Sequence, residues 1–205
     1  MSRIFAVVAA SVAIAGLGAA WIATQNQNTD AFANCRTSTI AGGAGAIGGP
    51  FELVNTKGQI VTDTDVVTEP TLIYFGYTFC PDVCPLDNAR NAEAIDILAQ
   101  KGVSATPVFI SIDPERDTPE VMADFSEIIH DKLIGLTGSA EQVKAASKAY
   151  KTYYQKQDGD DEYYLVNHST YTYLVLPELG FVDFFKREET AQQMADRVGC
   201  FVENA

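Results

Sequence analysis

Basic side chains are scarce in this chain. Its 205 residues include 14 Lys and Arg against 27 Asp and Glu, which gives a formal net charge of −13. We expect no nucleic acid partner, because neutralising phosphates requires clustered basic side chains. Charged residues amount to only 20% and hydrophobic residues to 47%. This composition argues against a disordered chain and favours a packed core.

Histidine is also scarce, with His130 and His168 as the only two. His130 falls at the end of a predicted helix, where a cation suits the helix dipole, and it needs no other role. His168 lies between two predicted strands. Taken alone it would be a structural or solvated side chain, but the loops at one edge of an α/β sheet converge on a common site. We therefore keep His168 as a candidate metal ligand, since imidazole suits copper.

One long apolar run without a charged side chain covers residues 4–23, and Arg3 precedes it. A spanning helix needs about 20 apolar residues, whereas the apolar core of a cleaved signal peptide has about 7–15. We therefore predict that residues 1–23 form a membrane anchor. Arg3 favours the cytoplasmic side, so the domain is expected to face the periplasm, outside a bacterial inner membrane. The triplet Ala31-Phe32-Ala33 leaves cleavage open as an alternative.

The sequence after the apolar run divides into a linker and a domain. Residues 24–49 are polar and then rich in glycine, which predicts a flexible linker. In the predicted domain, residues 50–205, a hairpin at 51–62 precedes strands that alternate with helices. This order predicts an α/β fold with a central sheet flanked by helices and an added N-terminal hairpin. The later predicted strands are 71–77, 107–113, 133–137, 163–166, 170–176 and 181–185; the predicted helices are 86–101, about 118–130, one capped by Ser139, and 188–198.

Two cysteines lie close together in Cys80-Pro81-Asp82-Val83-Cys84-Pro85, between a buried strand and a helix. Side chains four residues apart can share one face of a helical turn. A helix N-terminus lowers the pKa of a thiol, because its dipole stabilises the thiolate. A thiolate is both a nucleophile and a ligand for soft metals. The motif therefore supports either disulfide exchange or metal binding, and a static disulfide or two buried apolar thiols are the alternatives.

The other two cysteines, Cys35 and Cys200, stand at opposite ends of the region that follows the apolar run. Disulfides persist in oxidising compartments such as the periplasm. We hypothesise a structural Cys35–Cys200 bridge that joins the two ends of the domain. Two unrelated free thiols are the alternative.

A second motif, Asp113-Pro114-Glu115-Arg116-Asp117-Thr118-Pro119, follows the second buried strand. Helix entry and a surface ion pair explain most of it, because Asp or Thr caps helices and Pro suits the first turn. A role in shaping the cysteine loop is left open.

Three blocks together resemble the Sco/SenC family: Tyr74–Pro85, Ser111–Pro119, and His168 ahead of a strand. The resemblance extends over residues 48–198. It implies a thioredoxin-like fold with an inserted hairpin and a single N-terminal anchoring helix. It also implies that Cys80, Cys84 and His168 bind one copper ion, as Cu(I), Cu(II) or both.

The family resemblance further implies a metallochaperone that helps to assemble the CuA centre of cytochrome c oxidase subunit II. Subunit II would be the partner, together with an upstream copper donor, and the contribution would be copper delivery, reduction of target thiols, or both. One departure from the family is Asn167, where many members have an acidic residue. Copper affinity or the preferred oxidation state is expected to change there.

Two alternatives to copper binding follow from the same residues. In a thiol–disulfide oxidoreductase Cys80 would attack and Cys84 would resolve the mixed disulfide. Against this, three residues separate the cysteines, and residues 166–176 contain no proline where redox relatives place a cis-proline. A peroxidase would need an arginine beside one activated cysteine, and Arg116 is the one obvious candidate.

Overall fold

The computed structural model describes residues 31–37, 43–159 and 163–205. Over these residues no helix has both the length and the apolar character needed to cross a membrane. The predicted anchor, residues 1–23, lies outside the described residues. The described residues form nine strands: β1 Glu52–Asn55, β2 Ile60–Thr62, β3 Thr71–Gly76, β4 Thr106–Ser111, β5 Ile134–Thr137, β6 Tyr154–Lys156, β7 Val166–His168, β8 Thr172–Leu176 and β9 Gly180–Phe185.

Seven of these strands form one sheet in the order β2-β1-β5-β4-β3-β8-β9. β3, β4 and β5 run parallel, and the remaining pairs are antiparallel. The described α-helices are α1 Asp63–Val66, α2 Val83–Gln100, α3 Pro119–Ile129, α4 Ala140–Ala149 and α5 Ala191–Glu203. The predicted α/β fold with an added hairpin is confirmed, and the hairpin is the β1–β2 pair.

The central strand β3 is buried along its whole length, as its continuous apolar sequence predicts. Leu72 and Phe75 lie on opposite faces because side chains alternate along a strand. Leu72 belongs to a cluster that includes Leu98 of α2 and Val198 of α5. The Phe75 ring lies 5.4 Å from that of Tyr150, which ends α4. Helices therefore cover both faces, and complete burial of each large side chain contributes about 1.5–3 kcal/mol.

Helix ends follow their capping residues. Thr118 caps α3 by accepting a hydrogen bond from the Val121 N–H, and Ser139 forms the predicted capping box with Gln142. The last helix begins at Ala191 rather than at 188, because Thr190 forms a capping box there. Side-chain caps accept the otherwise unpaired N–H groups of the first turn, which fixes where a helix starts.

One hairpin, β6 with β7, stands apart from the large sheet. Tyr154 pairs with His168, so the histidine is the last residue of a strand rather than part of a loop between strands. β6 was not predicted, because its three residues are half-buried or exposed and show no apolar alternation. The strand expected at 163–166 begins only at Val166, since the side chains of Tyr163 and Leu165 are exposed to solvent.

The described part of the predicted linker lies against the domain. The Phe32 and Phe201 rings are 5.0 Å apart, and Cys35 is buried. A disulfide joins Cys35 to Cys200, the pairing hypothesised from the sequence. The Gly48 N–H donates to the carbonyl of Ala149. Residues 31–37 and 43–49 therefore contact α5 and the end of α4, while the boundary at residue 50 stays a prediction.

Candidate metal centre

The two cysteines of the motif lie on either side of the start of α2. β3 ends at Gly76, and α2 begins at Val83, so Cys80 lies in the loop and Cys84 in the first helical turn. The backbone N–H of Cys84 donates to Cys80 Sγ at 3.4 Å. The Cys80 sulfur thus takes one of the N–H groups that the start of a helix leaves unpaired. Both thiols are free.

Gly76 permits the approach of Cys84 to the end of β3. A Cβ atom at this position would lie 2.8 Å from Phe109 Cε2, 2.9 Å from Cys84 Sγ and 2.9 Å from Tyr74 Cε1. Any side chain would therefore push the sulfur or the rings away. The absence of a Cβ atom is a packing requirement of the site.

His168 presents one ring nitrogen to the cysteines. Its Nδ1 lies 2.8 Å from the carbonyl oxygen of Ser169, which can only accept, so Nδ1 carries the proton. Nε2 then has a free lone pair and lies 3.4 Å from Cys84 Sγ. Backbone carbonyls commonly fix the tautomer of metal-binding histidines in this way.

The three candidate donors converge in the folded chain. The sulfurs of Cys80 and Cys84 and a ring nitrogen of His168 all lie within 4.8 Å of one another, although 84 residues separate Cys84 from His168. Cys84 is fully buried and Cys80 is 8% exposed. The site is thus preformed, and His168, which is half-buried, is the most exposed of its three donors.

The two thiols titrate as a pair. The hydrogen bond from Cys84 lowers the pKa of Cys80, and the same contact, together with burial, raises the pKa of Cys84. One proton therefore leaves the pair easily, while a second negative charge so close to the first is strongly disfavoured. A bound cation would favour loss of both protons, because it neutralises the two thiolates.

Two tyrosines of the β3 region enclose the imidazole, and the sequence analysis did not single them out. The His168 ring lies edge-on to Tyr74 and Tyr77, with ring centroids 6.1 and 5.9 Å away. The Tyr74 hydroxyl donates to Asp87 Oδ2 at 2.9 Å, and burial raises the pKa of Tyr74. The aromatic run before Cys80 was the available signal, but it predicts a buried strand equally well.

The remaining residues singled out from the sequence lie elsewhere. His130 Nε2 is 3.3 Å from Asp96 Oδ1, beside the end of α3. Asn167 is exposed and, by strand alternation, faces away from His168. Its Oδ1 accepts from Gln157 Nε2 at 2.7 Å. The Arg116 guanidinium pairs with Asp113 and lies over the ring of Tyr164.

Comparison with known proteins places this geometry in a family. Protein SenC of Rhodobacter capsulatus is 51% identical over 198 residues, which cover 97% of this chain and 89% of that protein. The copper-bound structure of Arabidopsis thaliana ScoI is 42% identical with a TM-score of 0.73 and covers 77% of this chain and 99% of its own. Copper-bound Bradyrhizobium japonicum ScoI is 35% identical with a TM-score of 0.68, over 75% and 98% of the two chains.

The fold is thioredoxin-like, as the resemblance implied and as these solved structures confirm. The SCO1/SenC family profile matches residues 41–203. This match covers the hairpin, both cysteines and His168. The chain therefore belongs to the SCO1/SenC family.

Proposed function

We propose that this protein is a copper metallochaperone whose ligands are Cys80, Cys84 and His168. The observation that carries the proposal is the convergence of two sulfurs and one imidazole nitrogen within 4.8 Å. Thiolates select Cu(I), and imidazole accommodates Cu(II) as well. The described residues bring three donors together, one fewer than the four of structural zinc sites.

The donors need no large rearrangement to hold one copper ion. Nε2 of His168 already has its lone pair on the side of the cysteines, because the Ser169 carbonyl accepts the Nδ1 proton. The lowered pKa of Cys80 supplies one thiolate before the ion arrives. The protein would thus hold copper as cargo.

We further propose that the copper is destined for the CuA centre of cytochrome c oxidase subunit II and arrives from an upstream donor. Membership of the SCO1/SenC family supports this role. Exposed apolar side chains beside the cysteines also support it, with Phe79 52% and Leu86 61% exposed. Such side chains favour contact with another protein. Residues 4–23 would anchor the chain, with the domain in the periplasm.

A thiol–disulfide oxidoreductase is the second candidate, and the lowered pKa of Cys80 is the observation that favours it. A thiolate at ordinary pH would attack a target disulfide, and Cys84 would then release the target by forming a Cys80–Cys84 disulfide. The limited access to Cys80, which is 8% exposed, argues against efficient attack on a folded protein. His168 beside Cys84 instead favours a metal site.

Copper binding can be tested with the full chain, reduced and kept free of oxygen in detergent. Cu(I) is titrated against a competing chelator for the wild type, for His168→Ala and for the double variant Cys80→Ser, Cys84→Ser. The proposal expects one tightly held ion in the wild type, weaker binding in His168→Ala and none in the double variant. Weak wild-type binding combined with rapid disulfide exchange would instead establish the oxidoreductase.

A further inference from the structure

We propose that the β4–α3 loop, residues 112–118, positions His168 against the cysteine pair, with Arg116 as the central positioning residue. This inference rests on the proposed copper site. His168 belongs to the β6–β7 hairpin, which is not paired with the seven-stranded sheet. The chain leads from His168 into β8 within four residues, but among the described residues no strand pairing holds the hairpin against the cysteines. Side-chain contacts of the β4–α3 loop supply that connection.

On one side the loop holds the cysteine segment through Asp117. This carboxylate is 0% exposed. It accepts from the Thr78 N–H at 3.1 Å, the Thr78 hydroxyl at 2.5 Å and the Ser111 hydroxyl at 2.6 Å. Thr78 precedes Cys80 by two residues. The start of the cysteine loop is thus tied to the end of β4.

On the other side the loop holds the hairpin through Tyr164, which precedes His168 by four residues. Its hydroxyl donates to Asp113 Oδ1 at 2.5 Å, and the Arg116 guanidinium carbon lies 3.6 Å from its ring centroid. Lys156 of β6 lies at 3.6 Å from the same ring and pairs with Glu115 at 3.2 Å. Contacts from the loop therefore reach both β6 and the segment that leads into β7.

Arg116 connects these two sides. Its Nε donates to Asp113 Oδ2 at 2.6 Å, and its guanidinium carbon lies 4.8 Å from the Phe79 ring centroid and 5.7 Å from that of Tyr77. The Tyr77 hydroxyl in turn accepts from the Val166 N–H at 3.3 Å. The guanidinium thus lies where the cysteine loop and the histidine hairpin approach each other.

The consequence of losing Arg116 should be specific to the imidazole. Cys84 is held by α2 and by its packing against Gly76, neither of which depends on the hairpin. The cysteine loop would lose the contact of Arg116 with the Phe79 ring, whereas the hairpin that carries His168 would lose the Arg116–Asp113 ion pair beside Tyr164. Cu(II), which depends more on the imidazole, should then be held less tightly, whereas Cu(I), which the two thiolates select, should lose less affinity.

The test uses the full chain in detergent and compares wild type, Arg116→Met, His168→Ala and the double variant. Cu(I) affinity is measured by chelator competition, and Cu(II) affinity by its charge-transfer absorption and electron paramagnetic resonance. We expect Arg116→Met to lower Cu(II) affinity about tenfold, the scale for groups that orient a metal ligand. Cu(I) affinity should fall less than about threefold on the same scale. In the His168→Ala background Arg116→Met should have no further effect on Cu(II).

One further variant and one measurement without copper distinguish the positioning role of Arg116 from a folding defect and from copper binding itself. Tyr164→Phe keeps the ring beneath Arg116 but removes the donor to Asp113, so it should act in the same direction more weakly. In copper-free protein, nitrogen NMR signals of the His168 ring should shift in Arg116→Met. They should be unchanged in Lys101→Met, a control that removes an exposed pair with Asp196.

Three results would overturn the positioning role of Arg116. Equal losses of Cu(I) and Cu(II) affinity in Arg116→Met, or a loss that persists in the His168→Ala background, would overturn the positioning role. An unchanged His168 ring signal in copper-free Arg116→Met would overturn it as well. A wild type that holds no copper would refute the proposed function, and a shifted ring signal would still support the positioning role.

Discussion

The substitution Gly76→Ala tests how closely the fold and the site are joined. The added Cβ atom would lie within 3 Å of three atoms, on Phe109, Cys84 and Tyr74, all in side chains that are fully buried. Buried side chains would have to shift to make room for it. Overpacking of this kind costs about 1–3 kcal/mol.

The expected effects of Gly76→Ala are on both stability and copper binding. A loss of about 2 kcal/mol would lower the melting temperature by roughly 4–8 °C for a domain of this size. Because one crowded atom is Cys84 Sγ, we also expect Cu(I) affinity to fall about tenfold, as when a ligand is displaced from its orientation. Thermal unfolding followed by circular dichroism and chelator competition give the two quantities.

Gly199→Ala is the matched control for this prediction. Gly199 lies within α5, and a Cβ atom there would meet nothing within 4 Å. Alanine favours a helix over glycine by about 0.8–1.0 kcal/mol, so this variant should melt slightly higher than the wild type and bind copper equally well. The reasoning is refuted if Gly76→Ala melts and binds Cu(I) like the wild type.

Three further predictions concern the cysteines and Asn167. Replacing Cys35 and Cys200 by Ser removes a disulfide between residues 165 apart in sequence. Chemical denaturation should then show a free energy of unfolding lower by up to about 5 kcal/mol, with unchanged copper affinity. A variant as stable as the wild type would contradict this prediction. Cys84→Ala removes the hydrogen bond from Cys84, which is the main cause of the lowered pKa of Cys80. The absorbance of the Cys80 thiolate should therefore appear at higher pH than in the wild type. An unchanged or lower pKa of Cys80 would refute this cause. The family departure at Asn167 led us to expect an effect on copper, but this side chain is exposed and faces away from the imidazole. Asn167→Asp should therefore change Cu(II) affinity less than about threefold, given solvent screening; a tenfold change would contradict the orientation described.

The sequence determined the local features of this protein. The apolar run of β3 and the four-residue spacing of Cys80 and Cys84 need only neighbouring residues to be interpreted. Even there one boundary moved, because α2 begins at Val83 and not at Leu86. Pro85 is tolerated in the first turn, where the N–H that it lacks would have no helical partner. The family resemblance then supplied the pairing of the cysteines with His168.

Tertiary structure decided how the distant parts of the site meet. Three contacts form only in the folded chain: the β6–β7 pairing, the hydrogen bond between His168 Nδ1 and the Ser169 carbonyl, and the stacking of Arg116 on Tyr164. No periodic pattern of apolar residues in the sequence indicates them. Periodicity tells which face of an element is buried, but it does not tell which distant segment covers that face. His168 was already a candidate ligand from the sequence and the family resemblance, but only strand pairing and hydrogen bonds in the folded chain place it beside Cys84.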